Sequence, residues 1–238
     1  MLELLTFRAA FGQPSGSPFC VKAMCMLQMA GVEWQRVDMD DPRRMPSGKL
    51  PVLREGTTLI PDSEGIRTYL ESRGADFEPG LTPPEKAASR AIVRMADEHL
   101  YFLVLQDRWG NDRVWPHLRA AYFRSIPALF RGIVTPLIRA DVLRGLRAQG
   151  IGRLSDDQRM ARAEADLTAL GTLVSAQDFL FGARPTAADC SVAPMLVAMT
   201  ASPVPTALST RVSQDHVLSA YCRRVTEAIY PPTGVVTA

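Results

Sequence analysis

Leu50-Pro51-Val52-Leu53 constrains this chain more than any other stretch. A proline at the head of a short apolar run is awkward in a sheet, because it removes a backbone donor from the ladder. The run makes sense if Leu50-Pro51 is a cis peptide bond opening an edge strand. Further on, Pro61-Asp62-Ser63-Glu64 leads into Ile66, Tyr69 and Leu70, spaced as the buried stripe of a helix. Ser63 then stands at that helix's N-terminus, where a hydroxyl, free backbone N–H groups and the helix dipole favour a carboxylate. A cis-proline beside an anion-accepting helix end suits a small acidic peptide.

Periodicity divides the chain. Leu2 to Phe7 alternates as a strand, Pro18 to Gly31 has helical spacing, and Val32 to Met39 alternates again. Arg54-Glu55-Gly56 between two short strands signals a hairpin. Glu64 to Ser72 is helical and stops at Gly74. A helical element before Pro51 is barely visible in Asp40 to Met45. This strand–helix–strand and hairpin–helix order predicts a thioredoxin-like α/β domain over 1–75. After a Gly/Pro-rich linker, strand patterns vanish, which predicts an all-α domain over 83–238. Within it, Pro84 to Trp109 reads as one long helix, and Asp112 to Gln149 as helix broken at Pro116, Pro127 and Pro136. Further helices are expected over Ser155 to Ala176, from Thr186 (where Asp189 completes a near capping box), and over His216 to Ile229.

Composition excludes several classes. A net charge of +2 leaves no global nucleic-acid footprint. No apolar run reaches the roughly 18 residues of a bilayer span, and the N-terminus lacks a signal-peptide pattern. Cys20, Cys25, Cys190 and Cys222 show neither zinc spacing nor a disulfide framework, and His99, His117 and His216 do not cluster, so no metal site is expected. A reducing cytoplasm is the expected compartment. The segment 113–153 holds eight arginines and one acid, Asp141. It reads as a solvated or internally paired helix face, or as a contact for an anionic membrane or acidic partner.

The cis-proline hinge, Ser17-Pro18-Phe19-Cys20-Val21-Lys22, Leu27-Gln28-Met29-Ala30-Gly31-Val32, Pro46-Ser47-Gly48-Lys49 and Ala183-Arg184-Pro185-Thr186-Ala187-Ala188-Asp189 together resemble the glutathione transferase-like family. The long loop from Arg8 to Gly16, with His99-Leu100-Tyr101 and Arg108-Trp109, is similar to its metaxin and failed-axon-connections branch and bacterial relatives. The resemblance implies glutathione as substrate, a small-molecule partner and a homodimer. It places Ser17 where related enzymes carry the group that activates the glutathione sulfur. Phe19, Lys49, Leu50 and Pro51 would line the peptide, with the Leu50 backbone pairing it like an added strand. Asp62 and Ser63 would meet its γ-glutamyl end. Tyr101 and Trp109, with Phe102 and Tyr122 nearby, would face the electrophile.

Each residue has a plainer alternative. Ser17-Pro18 is also an ordinary helix start, Asp62-Ser63 an ordinary cap, Lys49 a surface loop lysine, and the aromatics core. Ser17-Pro18-Phe19-Cys20 looks like a glutaredoxin motif whose first cysteine has become serine, leaving Cys20 in the resolving position or as a small buried residue. Three functions stay open. The leading one is a transferase joining the glutathione thiol to a hydrophobic electrophile. The others are a noncatalytic metaxin-like binding or assembly module and a glutathione-dependent thiol or peroxide reductase using Cys20.

Overall fold

The computed structural model describes residues 1–231, so the end of the expected 83–238 segment lies outside the described residues. β1 (Leu2–Thr6), α1 (Pro18–Met29) and β2 (Trp34–Asp38) form a strand–helix–strand unit. β3 (Val52–Glu55) and β4 (Thr58–Pro61) form a hairpin that leads into α2 (Ser63–Ser72). The sheet order is β2-β1-β3-β4, with β1 parallel to β2 and antiparallel to β3. A parallel pair needs a crossover, and α1 supplies it. Leu4 lies opposite Leu53 and Leu5 opposite Val52, all buried, so the apolar alternation fixes the register. Gly56 turns the hairpin at φ 58°, a conformation most side chains resist. The N-terminal half is thus the expected thioredoxin-like arrangement. Before Pro51 only a short 3₁₀ turn forms, over Pro42–Arg44.

Leu50-Pro51 is cis, but the strand it precedes is not an edge strand. β3 lies between β1 and β4. Pro51 is tolerated because the ladder begins one residue later, at Val52, so its missing N–H is not called upon. Its carbonyl accepts the Asp62 N–H at 3.2 Å, which ties the hinge to the start of α2.

The second half is helical. α3 (Pro83–Met95) runs through a π-helical turn, Ala96–Leu100, into α4 (Tyr101–Trp109). Such turns wedge an extra residue into a helix and re-aim its side chains. Then come α5 (Trp115–Tyr122), α6 (Ala128–Gln149), α7 (Asp156–Val174), α8 (Ala187–Thr200), α9 (Ala207–Ser213) and α10 (His216–Ile229). Pro116 sits in the first turn of α5, where a missing N–H costs little, and Pro127 caps α6. Pro136, expected to break the helix, instead lies inside α6. The Thr135 hydroxyl bonds the Arg131 carbonyl at 2.7 Å and helps hold the turn across the missing backbone bond.

α8 is buried on nearly every side and packs on α1, α3 and α10. Its Asp189, fully buried, accepts the N–H groups of Leu180 (3.0 Å) and Thr186 (2.7 Å) and the hydroxyls of Thr186 (2.9 Å) and Tyr221 (2.9 Å). Burial pushes its carboxyl above the ordinary range despite these donors. Asp189 therefore organises the helical half from within, as a cap and as a junction between α8 and α10.

Candidate functional site

The start of α2 supplies the most distinctive local chemistry. Asp62, its N-cap, has φ 70° and ψ 145°, a backbone region that costs a non-glycine residue about 1–3 kcal/mol. Its carboxylate accepts the Glu64 N–H at 2.9 Å. Ser63, the first helical residue, is 2% exposed, yet its hydroxyl has no hydrogen-bond partner among the described residues. A cavity of about 190 Å³ opens here, lined by Phe19, Asp62, Ser63, Glu64, Arg94, Asp97 and Glu98. A serine hydroxyl and a helix N-terminus thus share a cavity with acids from the π-helical turn.

That cavity is backed by a buried ion network. Lys22, the one charged residue of α1, is 0% exposed; its ammonium group lies 2.7 Å from Asp97 and 3.2 Å from Glu64. Glu64 also pairs with Arg90 and lies 3.8 Å from Arg94. Burial raises the Glu64 carboxyl, but Lys22 and Arg90 more than offset it and leave it below the usual range. For Asp97 burial wins over Lys22, and the carboxyl sits above its usual range. One Asp97 oxygen, Oδ1, is buried without a partner. It is the open valence of an otherwise saturated network.

Ser17 is the N-cap of α1, but its hydroxyl makes no capping bond. Its N–H donates to Ser15 Oγ at 3.2 Å, and its carbonyl receives Cys20 (3.1 Å) and Val21 (3.2 Å). The half-buried hydroxyl lies beside the Cys20 thiol rather than on the helix cap. The preceding loop is held down at Gly16, whose N–H bonds the Arg8 carbonyl at 2.9 Å. Its carbonyl accepts from Tyr122 (2.7 Å) and Arg108 (3.1 Å). A Cβ on residue 16 would come within 2.9 Å of the Tyr122 ring, so this clamp requires glycine.

The other candidates separate. Cys20 is fully buried, and burial raises its thiol above the usual value even with the Thr6, Ser17 and Ser15 hydroxyls nearby. Lys49 is exposed, and Leu50 and Pro51 are buried beside Val52. Tyr101 stacks on Phe19 at 4.6 Å, which joins α4 to the start of α1; burial pushes its phenol up to about 12. Trp109 faces Trp115, Tyr122 and Phe123 in a separate aromatic cluster. Phe19, Asp62 and Ser63 thus share one cavity, while Ser17, Cys20, Lys49, Leu50, Pro51, Tyr101 and Trp109 are not on its wall. Sequence reasoning missed Lys22, Glu64, Asp97 and Arg94. A lone lysine within the apolar run of α1 was the available signal. Among the described residues, no group of His, Cys, Asp or Glu could hold a metal ion, and no helix is long and apolar enough to cross a membrane.

Comparison with known proteins agrees with this layout. A family model described as the glutathione S-transferase N-terminal domain matches residues 18–115, and one for the glutathione S-transferase C-terminal domain matches 153–224. An isoprene-epoxide–glutathione S-transferase of Rhodococcus sp. (strain AD45) is 29% identical over 210 residues, 81% of this chain and 84% of that protein. Human metaxin-2 is 24% identical over 191 residues, 79% of this chain and 73% of its own. Among solved structures, a beta-etherase from Sphingobium sp. strain SYK-6 superposes with a TM-score of 0.65 at 18% identity, covering 94% of each chain. With its two halves matched in order, the chain belongs to the glutathione transferase-like family, alongside the metaxin and failed-axon-connections branch.

Proposed function

We propose that this protein binds glutathione at the start of α2 and joins its thiol to a hydrophobic electrophile. The observation that carries the reading is Ser63, a buried serine at a helix N-terminus with its hydroxyl unused and a cavity before it. In this reading the γ-glutamyl carboxylate rests on the Ser63 hydroxyl and the α2 N-terminus. The ammonium of the same amino-acid head faces Asp62 and the free oxygen of Asp97. The Leu50 backbone pairs with the cysteinyl part. The name of the Rhodococcus relative supports an epoxide as the kind of electrophile. There the thiolate sulfur would form a bond to a ring carbon, the C–O bond would break, and the oxygen would take a proton from water. A cytoplasmic homodimer, as the family implies, belongs with this reading.

Ser17 is assigned to the sulfur. Lowering a thiol pKa by about two units from roughly 8.5 takes about 2.7 kcal/mol. A hydrogen bond to a charged acceptor contributes about 1.5–3 kcal/mol and a helix N-terminus about 0.3–1. One donated hydroxyl at the head of α1 therefore suffices without a separate base. Ser17→Ala should raise the pKa of the bound thiol by about one unit or more and slow conjugation at neutral pH about tenfold. Glutathione affinity should change less than about twofold. Thiolate absorbance against pH, with conjugation of epoxides and aryl halides in parallel, reads both quantities. If Ser17→Ala changes neither and Cys20→Ala abolishes turnover, the chemistry belongs to a reductase.

The noncatalytic reading has its own observation, the clamp of Arg108 and Tyr122 on Gly16, which fixes the loop before Ser17. A wild-type protein that binds glutathione without lowering its pKa, and turns over nothing, is that module.

A further inference from the structure

A second cavity, about 340 Å³ in volume, lies among α4, α7 and α9 and shares no lining residue with the one at the start of α2. It falls within the size range of small-molecule sites. Buried Leu103 and Leu208, with half-buried Met160, give it an apolar wall. Gln106 adds an amide, folded so closely over Gly110 that a Cβ there would stand 2.0 Å from its nitrogen. Three carboxylates also line the cavity, and two already have a cation: Asp112 pairs with Arg139 at 2.7 Å, and Asp156 with Arg159. Asp107 has no cation within 4 Å among the described residues. One of its oxygens accepts the Thr206 hydroxyl at 3.0 Å, which ties α4 to the cap of α9. Burial lifts its carboxyl above the usual range, by more than Thr206 and the more distant Arg108 and Arg159 lower it.

We propose that this cavity binds a compact organic cation, an alkylammonium, with its nitrogen on Asp107 and its carbon body against Leu103, Met160 and Leu208. Charge and shape select that class. A half-buried carboxylate without a counter-ion gains more from an arriving cation than an exposed one does, because less water screens the pair. Its hydrogen bonding is also incomplete, since a carboxylate offers about four acceptor positions and Thr206 fills one. An inorganic divalent cation fits poorly: among the described residues no group of acids could hold a metal ion, and the apolar wall would go unused. An anion has no free cation to meet, because Arg159 is held by Asp156 and by the Leu154 carbonyl. No cysteine, histidine or lysine lines the cavity, so its role is to hold a ligand, and it does not depend on the glutathione reading.

The test is calorimetric titration of the full chain with cyclohexylmethylammonium and with its neutral counterpart, cyclohexylmethanol. The amine should bind saturably and at least about tenfold more tightly than the alcohol, the usual worth of a charge-assisted hydrogen bond. Asp107→Asn should lose about ten- to hundredfold in amine affinity. Its melting temperature should stay near wild type, because asparagine keeps an oxygen to accept from Thr206. Met160→Trp fills the cavity without touching Asp107 and should weaken the amine at least about tenfold; it decides the matter if Asp107→Asn does not fold. Asp62→Asn, in the other cavity, should bind the amine like wild type. The proposal is overturned if wild type shows no saturable binding, if the alcohol binds as well as the amine, or if Asp107→Asn binds like wild type. Loss of the amine in Asp62→Asn instead would move it to the start of α2 and equally overturn the proposal.

Discussion

Lys22→Met should destabilise the protein by about 3–5 kcal/mol at pH 7, the usual cost of stranding a buried charge. Lys22 is fully enclosed, Asp97 is 5% exposed, and their 2.7 Å contact joins α1 to the π-helical turn across the two halves of the chain. Without the ammonium group, Asp97 keeps its burial and loses its counter-charge. Its carboxyl already lies above the ordinary range in the folded protein, because burial outweighs Lys22. Removing Lys22 pushes it higher still. A carboxyl raised on folding favours the fold while protonated, and that contribution is lost as pH rises through the folded value. The deficit of Lys22→Met should therefore be largest at neutral pH and shrink as pH falls toward about 4. Urea unfolding at several pH values measures it, and a deficit that does not change with pH would refute the network. Adding Asp97→Leu should restore much of the loss, since an apolar pair replaces an unpaired charge.

Asp189→Ala should cost a similar amount, about 4 kcal/mol, without touching the site. It strands four donors, the N–H groups of Leu180 and Thr186 and the hydroxyls of Thr186 and Tyr221, at a fully buried position. Each buried donor left without an acceptor costs about 1–3 kcal/mol before the surroundings relax. The melting temperature should drop by about 10 °C. Asp189→Asn retains one acceptor oxygen and should fall between wild type and alanine. A loss below about 1 kcal/mol for alanine would mean the four bonds contribute little.

The sequence carried the backbone plan better than the site. The hairpin was legible because Gly56 and the alternation on either side of it are local signals, and α10 because its apolar spacing is complete between Asp215 and Tyr230. α9 was missed because seven residues give too few turns for a periodic signal; its Thr206–Ser209 cap was the readable trace. Pro136 misled because the proline rule is local, whereas continuation of α6 depends on the flanking turns and their packing. The helix start at Asp62-Ser63 and the cis Leu50-Pro51 bond could be read because cap and cis-proline chemistry are written in adjacent residues. Lys22 and Asp97 could not be paired, since they are 75 positions apart and only the packing of α1 on the helical half brings them together. The same limit applies to the Tyr122 and Arg108 clamp, which joins α4 and α5 to a loop at the other end of the sequence.

Calorimetric titration of glutathione into wild type and Ser63→Ala tests the central claim most directly. Ser63 donates in the proposed complex to a charged carboxylate, a bond worth about 1.5–3 kcal/mol. Wild type should bind saturably at one site per chain, and Ser63→Ala should bind about ten- to hundredfold more weakly with its melting temperature nearly unchanged. No saturable heat in wild type, or equal affinities in the two proteins, would contradict the assignment of glutathione to the start of α2.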